Sequence, residues 1–104
     1  MNDLELLNRI VSIQSLGAQA ALATVIRTKG STPRKTGAKM IIYADGTLSG
    51  TIGGGCGEAE VIEIAMDVIA SKRRAQHIVD LTAGLLYEDG GICGGIQYVF
   101  IEPL

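Results

Sequence analysis

Between Asp3 and Leu16 the chain sets Leu4, Leu7, Ile10 and Val11 at helical spacing, with Leu6 and Ile13 beside them, and Gly17 follows. That spacing predicts an opening helix with one apolar stripe, closed by a glycine able to take positive φ. From Ala20 to Thr28 the pattern changes to small and β-branched residues that run up to Gly30. This predicts a strand buried on much of both faces. Ser31-Thr32-Pro33-Arg34 reads as a turn, because Pro33 fixes φ and lacks a backbone donor. Ala38 to Tyr43 is expected as a second strand. Asp45-Gly46 then supplies a two-residue hairpin signal before a third strand at Thr47 to Ile52.

A second helix is predicted from Glu58 to Arg74, with Val61, Ile62, Ala65, Val68 and Ile69 on one side. Acids occupy its first turn, and Lys72, Arg73 and Arg74 are expected in its last, both matched to the helix dipole. Ala75 to Leu81 and Ile96 to Ile101 read as two further strands around the glycine-rich stretch Thr82 to Gly95. The predicted fold is α/β of the α+β type, in the order α-β-β-β-α-β-β. It has a mixed or mainly antiparallel sheet of about five strands with two helices against it. At 104 residues, the expectation is one domain spanning 1–104.

Composition narrows the function classes. Hydrophobic residues make up 47% and charged residues 19%, as in a chain that folds. The aromatics are Tyr43, Tyr87, Tyr98 and Phe100, too few for the stacking platforms of single-stranded nucleic-acid binders. A net charge of -2 also disfavours a nucleic-acid surface. Yet Arg27, Lys29, Arg34, Lys35 and Lys39 cluster, which admits a local anion site or a solvated hairpin end. The amino terminus lacks the basic start and apolar run of a signal peptide, and no stretch is long enough to span a membrane. A cytoplasmic location is expected, where Cys56 and Cys93 stay thiols rather than forming a structural disulfide. With a single His77, itself expected to be structural, the cysteines do not make a recognisable zinc set.

Glycines at 46, 50, 53, 54, 55 and 57 gather where a strand hands over to a helix. Such a loop either packs tightly or presents amides and the positive helix end to an anion. No Gly-Lys-Ser/Thr follows, and a G-x-G-x-x-G pattern would need glycine at Glu58 or Glu60, so the familiar nucleotide loops are excluded. Cys56 stands at the expected helix start, where a thiolate is favoured, although Glu58 and Glu60 oppose it. Cys93 lies between Gly91 and Gly94-Gly95. If the two loops meet, two thiols and many amides share one pocket.

The blocks GSTPR, DG, GTIGGGC-x-E, CGG and FIEPL occur in that order, and the chain from Ala23 to Leu104 resembles the amino-terminal domain of the XdhC/CoxI family. These are accessory proteins of xanthine dehydrogenase and related molybdenum hydroxylases. The resemblance implies a cofactor-binding chaperone rather than an independent enzyme. Its cargo would be the molybdenum cofactor (molybdopterin), its role sulfuration or insertion, and its client a molybdenum hydroxylase apo-enzyme. Candidate further partners are a cysteine desulfurase and a separate Rossmann-domain subunit. The longer members carry a carboxy-terminal Rossmann-like domain that this sequence does not include. Gly57 stands where many members have a larger residue, which is expected to loosen the turn.

Carried onto this sequence, the implied cofactor site comprises Ser31, Thr32, Arg34, Gly53, Gly54, Gly55, Cys56, Cys93, Gly94 and Gly95. Arg34 or Lys35 would face the phosphate, and the two cysteines would be contacts to the cofactor molybdenum rather than a permanent metal site. Two other readings fit the same residues: a non-catalytic docking module, and a dithiol redox element. Open strand edges further suggest a homo-oligomer.

Overall fold

The computed structural model describes residues 2–32, 34–53, 57–82 and 94–104. Helix α1 spans Asp3–Leu16, β1 Ala20–Lys29, β2 Lys39–Tyr43, β3 Leu48–Gly50, α2 Glu58–Ser71, β4 Ala75–Asp80 and β5 Ile96–Pro103. The five strands form one sheet in the order β3-β2-β1-β5-β4. Every neighbouring pair is antiparallel. The two longest strands, β1 and β5, sit side by side inside, and the short β3 and the largely polar β4 form the edges. α2 carries the chain from one edge to the other, so it is not a crossover between adjacent parallel strands.

The helices lie on opposite faces. On one, α2 places Val61, Ala65, Val68 and Ile69 on Ala21, Ala23, Val25, Met40, Ile42, Val99 and Ile101. On the other, α1 meets a smaller patch of Ala20, Leu22 and Ile41. The alanine run at the start of β1 is buried on both faces because only small side chains leave room for a layer on each side.

Helix α1 begins and ends where the pattern predicts. The Asn2 side chain caps it by accepting from the Glu5 N–H at 2.8 Å, and Gly17 adopts φ +69°. The buried stripe, however, is the line of Leu6, Ile10 and Ile13. Leu4, Leu7 and Val11 are 67%, 57% and 59% exposed. The small patch beneath the helix accommodates one narrow line of side chains, and the more obvious apolar face points outward.

Three local expectations change. The hairpin loop has three residues, Ala44, Asp45 and Gly46, because the Tyr43 N–H donates to the Thr47 carbonyl and Gly46 sits at φ +89°. This is the three-residue loop ending in a left-handed glycine. The Asp45 carboxylate accepts from the Thr47 hydroxyl and N–H, which holds its carboxyl below the usual value. Helix α2 stops at Ser71. Lys72 takes φ +62° and donates its N–H to the Val68 carbonyl, so Lys72, Arg73 and Arg74 lie beyond the last turn. A left-handed residue there turns the chain back in time to enter β4 at Ala75.

The third change is a bulge between Val25 and Arg27. Val25 faces α2 with its partner Val99, whereas Arg27 pairs with Tyr98 on the opposite face. The extra residue, Ile26, reverses the alternation. Arg27 and Lys29 therefore approach the Tyr98 ring, 5.3 and 5.9 Å from its centroid. Without the bulge both cations would point toward the α2 side.

Candidate functional site

Gly30 ends β1, Gly53 follows β3, and Gly94-Gly95 leads into β5. These three places converge at one end of the sheet. Gly30 has φ +73°, and a Cβ there would stand 3.3 Å from Gly95 Cα. The Gly94 N–H donates to the Ser31 carbonyl at 3.1 Å, and the Leu81 N–H donates to the Gly95 carbonyl at 2.8 Å. A side chain at Gly95 would strike the Lys29 and Ser31 carbonyls. Here glycine is required by contact between main chains.

The loop before α2 is anchored at both ends. On its near side the Glu58 carboxylate accepts from the Thr51 hydroxyl at 2.6 Å and from the Ile52 and Gly53 N–H groups at 3.3 and 3.2 Å. Glu58 thus reaches back from the first turn of α2 and supplies its own anion to the amides ahead of it. On its far side Gly57 sits at φ +77°, where a Cβ would overlap Val79 Cγ1. The expectation that glycine loosens this turn is reversed, because the position is tight and admits no side chain.

Val79 is the cross-strand partner of Gln97, and Gln97 joins the segments. It is fully buried. Its Nε2 donates to the Ile52 carbonyl at 2.9 Å and, at a longer 3.4 Å, to the Arg34 carbonyl. Its Oε1 is buried with no hydrogen-bond partner among the described residues. Leaving such an acceptor unpaired costs about 1–3 kcal/mol. Sequence reasoning missed this residue, although a signal was present: in β5 the positions 97, 99 and 101 share a face, and Gln97 is the polar one in a row with Val99 and Ile101.

Of the residues expected at the site, Ser31, Arg34, Gly53, Gly94 and Gly95 are brought together by these bonds. Thr32 completes the turn by donating its hydroxyl to the Arg34 carbonyl at 2.9 Å. Gly54, Gly55, Cys56 and Cys93, like Pro33, lie outside the described residues. Their described neighbours Gly53, Gly57 and Gly94 belong to the same end of the sheet. Of the expected cluster of cations, Arg27 and Lys29 lie against Tyr98 on the α1 side of the sheet. Arg34 and Lys39 line a cleft of about 330 Å³ with Asn2, Asp3 and Thr51, among others. Lys35 is not among its lining residues.

Comparison with known proteins matches residues 14–81 to the model of the XdhC and CoxI family. The chain belongs to this family. The XdhC and CoxI chain is 35% identical over 82 residues to the Escherichia coli uncharacterized protein YqeB, covering 79% of this chain and 15% of that protein. It is 32% identical over 94 residues to a Bacillus subtilis protein named as a probable xanthine dehydrogenase subunit, covering 83% and 27%. It is 35% identical over 57 residues to the molybdenum cofactor insertion chaperone PaoD of E. coli, covering 55% and 18%. A crystal structure described as a xanthine dehydrogenase from Bacillus halodurans superposes with a TM-score of 0.82 at 32% identity, covering 99% of this chain and 30% of that one. The chain thus spans less than a third of the length of each of these relatives.

Proposed function

We propose that this chain is an accessory domain for a molybdenum hydroxylase, which binds the molybdenum cofactor as cargo and assists its sulfuration or insertion. The observation that carries the reading is the convergence of three glycine-rich segments on a buried glutamine with an unpaired acceptor. On the α1 side of the sheet, the Arg34 and Lys39 cleft suits a phosphate, since two cations near one polar groove favour a dianion. The relatives named for xanthine dehydrogenase and for cofactor insertion support the same class of role.

In this reading Arg34 and Lys39 hold the phosphate, and Ser31, Thr32, Gly53 and Gly94-Gly95 form main-chain walls around the pterin. Gly54, Gly55, Cys56 and Cys93 complete the site toward the metal end. The cargo supplies the molybdenum and its sulfido ligand; the protein binds, orients and shields them. An apo-hydroxylase receives the cofactor, and where the role is sulfuration a cysteine desulfurase supplies the sulfur.

An anaerobic titration of purified molybdenum cofactor against wild type, Cys56→Ser and Cys93→Ser tests this. Wild type should bind and activate apo-hydroxylase, with both functions reduced in the variants. Undiminished binding and activation by the double variant would remove the thiols from the account, and absence of binding by wild type would remove the cargo.

A docking reading, with this domain as a non-catalytic module on a molybdoenzyme or a separate Rossmann-domain subunit, is favoured by the outward Leu4, Leu7 and Val11 of α1. Cofactor would then fail to bind while the partner still did. The same face supports self-association, which light scattering across a concentration series would test.

A further inference from the structure

Gln97 spends its amide nitrogen on the protein and leaves its amide oxygen free. With Nε2 directed at the Ile52 and Arg34 carbonyls, the assignment of the two amide atoms is set, because the reverse would place oxygen against oxygen. The remaining Oε1 is an acceptor with no donor among the described residues. Gln97 lies two positions from Gly95 and across the sheet from Val79, with its Nε2 donating to the carbonyl of Ile52, the residue before Gly53. A buried acceptor held at a junction of loops by its own amide group is oriented to receive a donor that the described residues do not provide.

We propose that Gln97 Oε1 accepts a hydrogen bond from a ring N–H or amino group of the bound ligand, which assigns this junction to its nitrogen heterocycle. The inference rests on the cofactor-binding reading and deepens it. The donor-rich pyrimidine edge of a pterin goes to Gln97. Gln97 is fully covered, so the ring reaches the oxygen by displacing atoms that cover it. Its Nε2 bonds to the Ile52 and Arg34 carbonyls keep the acceptor aligned while that happens.

The test uses the full chain labelled with 13C and 15N at glutamine, the Gln97 signals being identified by their loss in Gln97→Met. The probe is 6-hydroxymethylpterin, which has the amino and ring N–H donors but no phosphate or dithiolene. The control is 1,3-dimethyllumazine, which has no ring N–H. The pterin should shift the Gln97 carboxamide carbon and the control should not. Gln97→Met should weaken pterin binding by about tenfold, the loss expected for one good hydrogen bond. The wild-type spectra stand even if that variant folds poorly, and Gln97→Glu provides a second replacement.

Pterin binding that leaves the Gln97 carbon unmoved, or no pterin binding at all, would overturn the inference. A buried water satisfying Oε1 gives the first of these results. If the complete cofactor binds while the pterin does not, the inference fails and the cofactor reading stands; if neither binds, both fail.

Discussion

Gly57→Ala should be among the most damaging single-methyl additions in the chain. Two effects add. A non-glycine residue at φ +77° carries a left-handed penalty of about 1–2 kcal/mol. The new Cβ also overlaps Val79 Cγ1, and overpacking of this kind costs about 1–3 kcal/mol. A loss of about 3 kcal/mol is expected, against a total stability of about 5–15 kcal/mol for a natural domain. Urea unfolding followed by far-UV circular dichroism measures it. With a slope of about 1–3 kcal/mol per molar, the midpoint should fall by about 1–3 M.

Adding Val79→Ala separates the two effects. Alone it removes buried methyl groups and should cost about 2 kcal/mol. Together with Gly57→Ala it also removes the atom in the way, leaving the backbone penalty. The double variant should therefore lose about 1–2 kcal/mol less than the sum of the singles. A single Gly57→Ala variant within about 0.5 kcal/mol of wild type, or strict additivity in the pair, would refute the tight packing argued for this turn.

Glu58→Ala leaves the Ile52 and Gly53 amides and the Thr51 hydroxyl without this acceptor, and should destabilise by about 2–3 kcal/mol, whereas Glu58→Gln should cost less; equal losses in a urea titration would count against the carboxylate as anchor. Leu6→Ala should cost about 2–4 kcal/mol and Leu7→Ala under about 1, because the first is buried and the second points outward; the reverse ranking would mean that α1 packs on its other face. Asp45 has a lowered carboxyl pKa from its bonds to Thr47. It therefore stabilises the hairpin above the ordinary carboxylate range, and that contribution is lost as pH falls through its folded value. The stability difference between wild type and Asp45→Asn should shrink below about pH 4, and a constant difference from about pH 7 to pH 2 would contradict this.

Element order and most boundaries were legible because they depend on neighbours in the chain. The glycine stop at Gly17, the apolar stripe of α2 and the alternation of β5 are each decided within a few residues. The ordered motif blocks likewise carried family membership before any contact was known. The same local reading misplaced the buried line of α1, because that choice depends on how narrow a patch of β1 and β2 lies underneath.

At the candidate site the division is sharper. Local chain chemistry marks Ser31, Arg34, Gly53 and Gly94-Gly95 as unusual, since glycine, proline and charge at strand ends need a reason. It cannot say that Gly30 and Gly95 touch, or that a bulge at Ile26 turns Arg27 and Lys29 to the Tyr98 side of the sheet. Nor can it say that Gln97 ties Ile52 to Arg34 and leaves an oxygen unpaired among the described residues. Those facts come from pairing segments far apart in the chain. Backbone preferences and hydrophobic period act over a few residues, whereas the meeting of three loops is set by sheet order and register, which emerge only when the whole core closes.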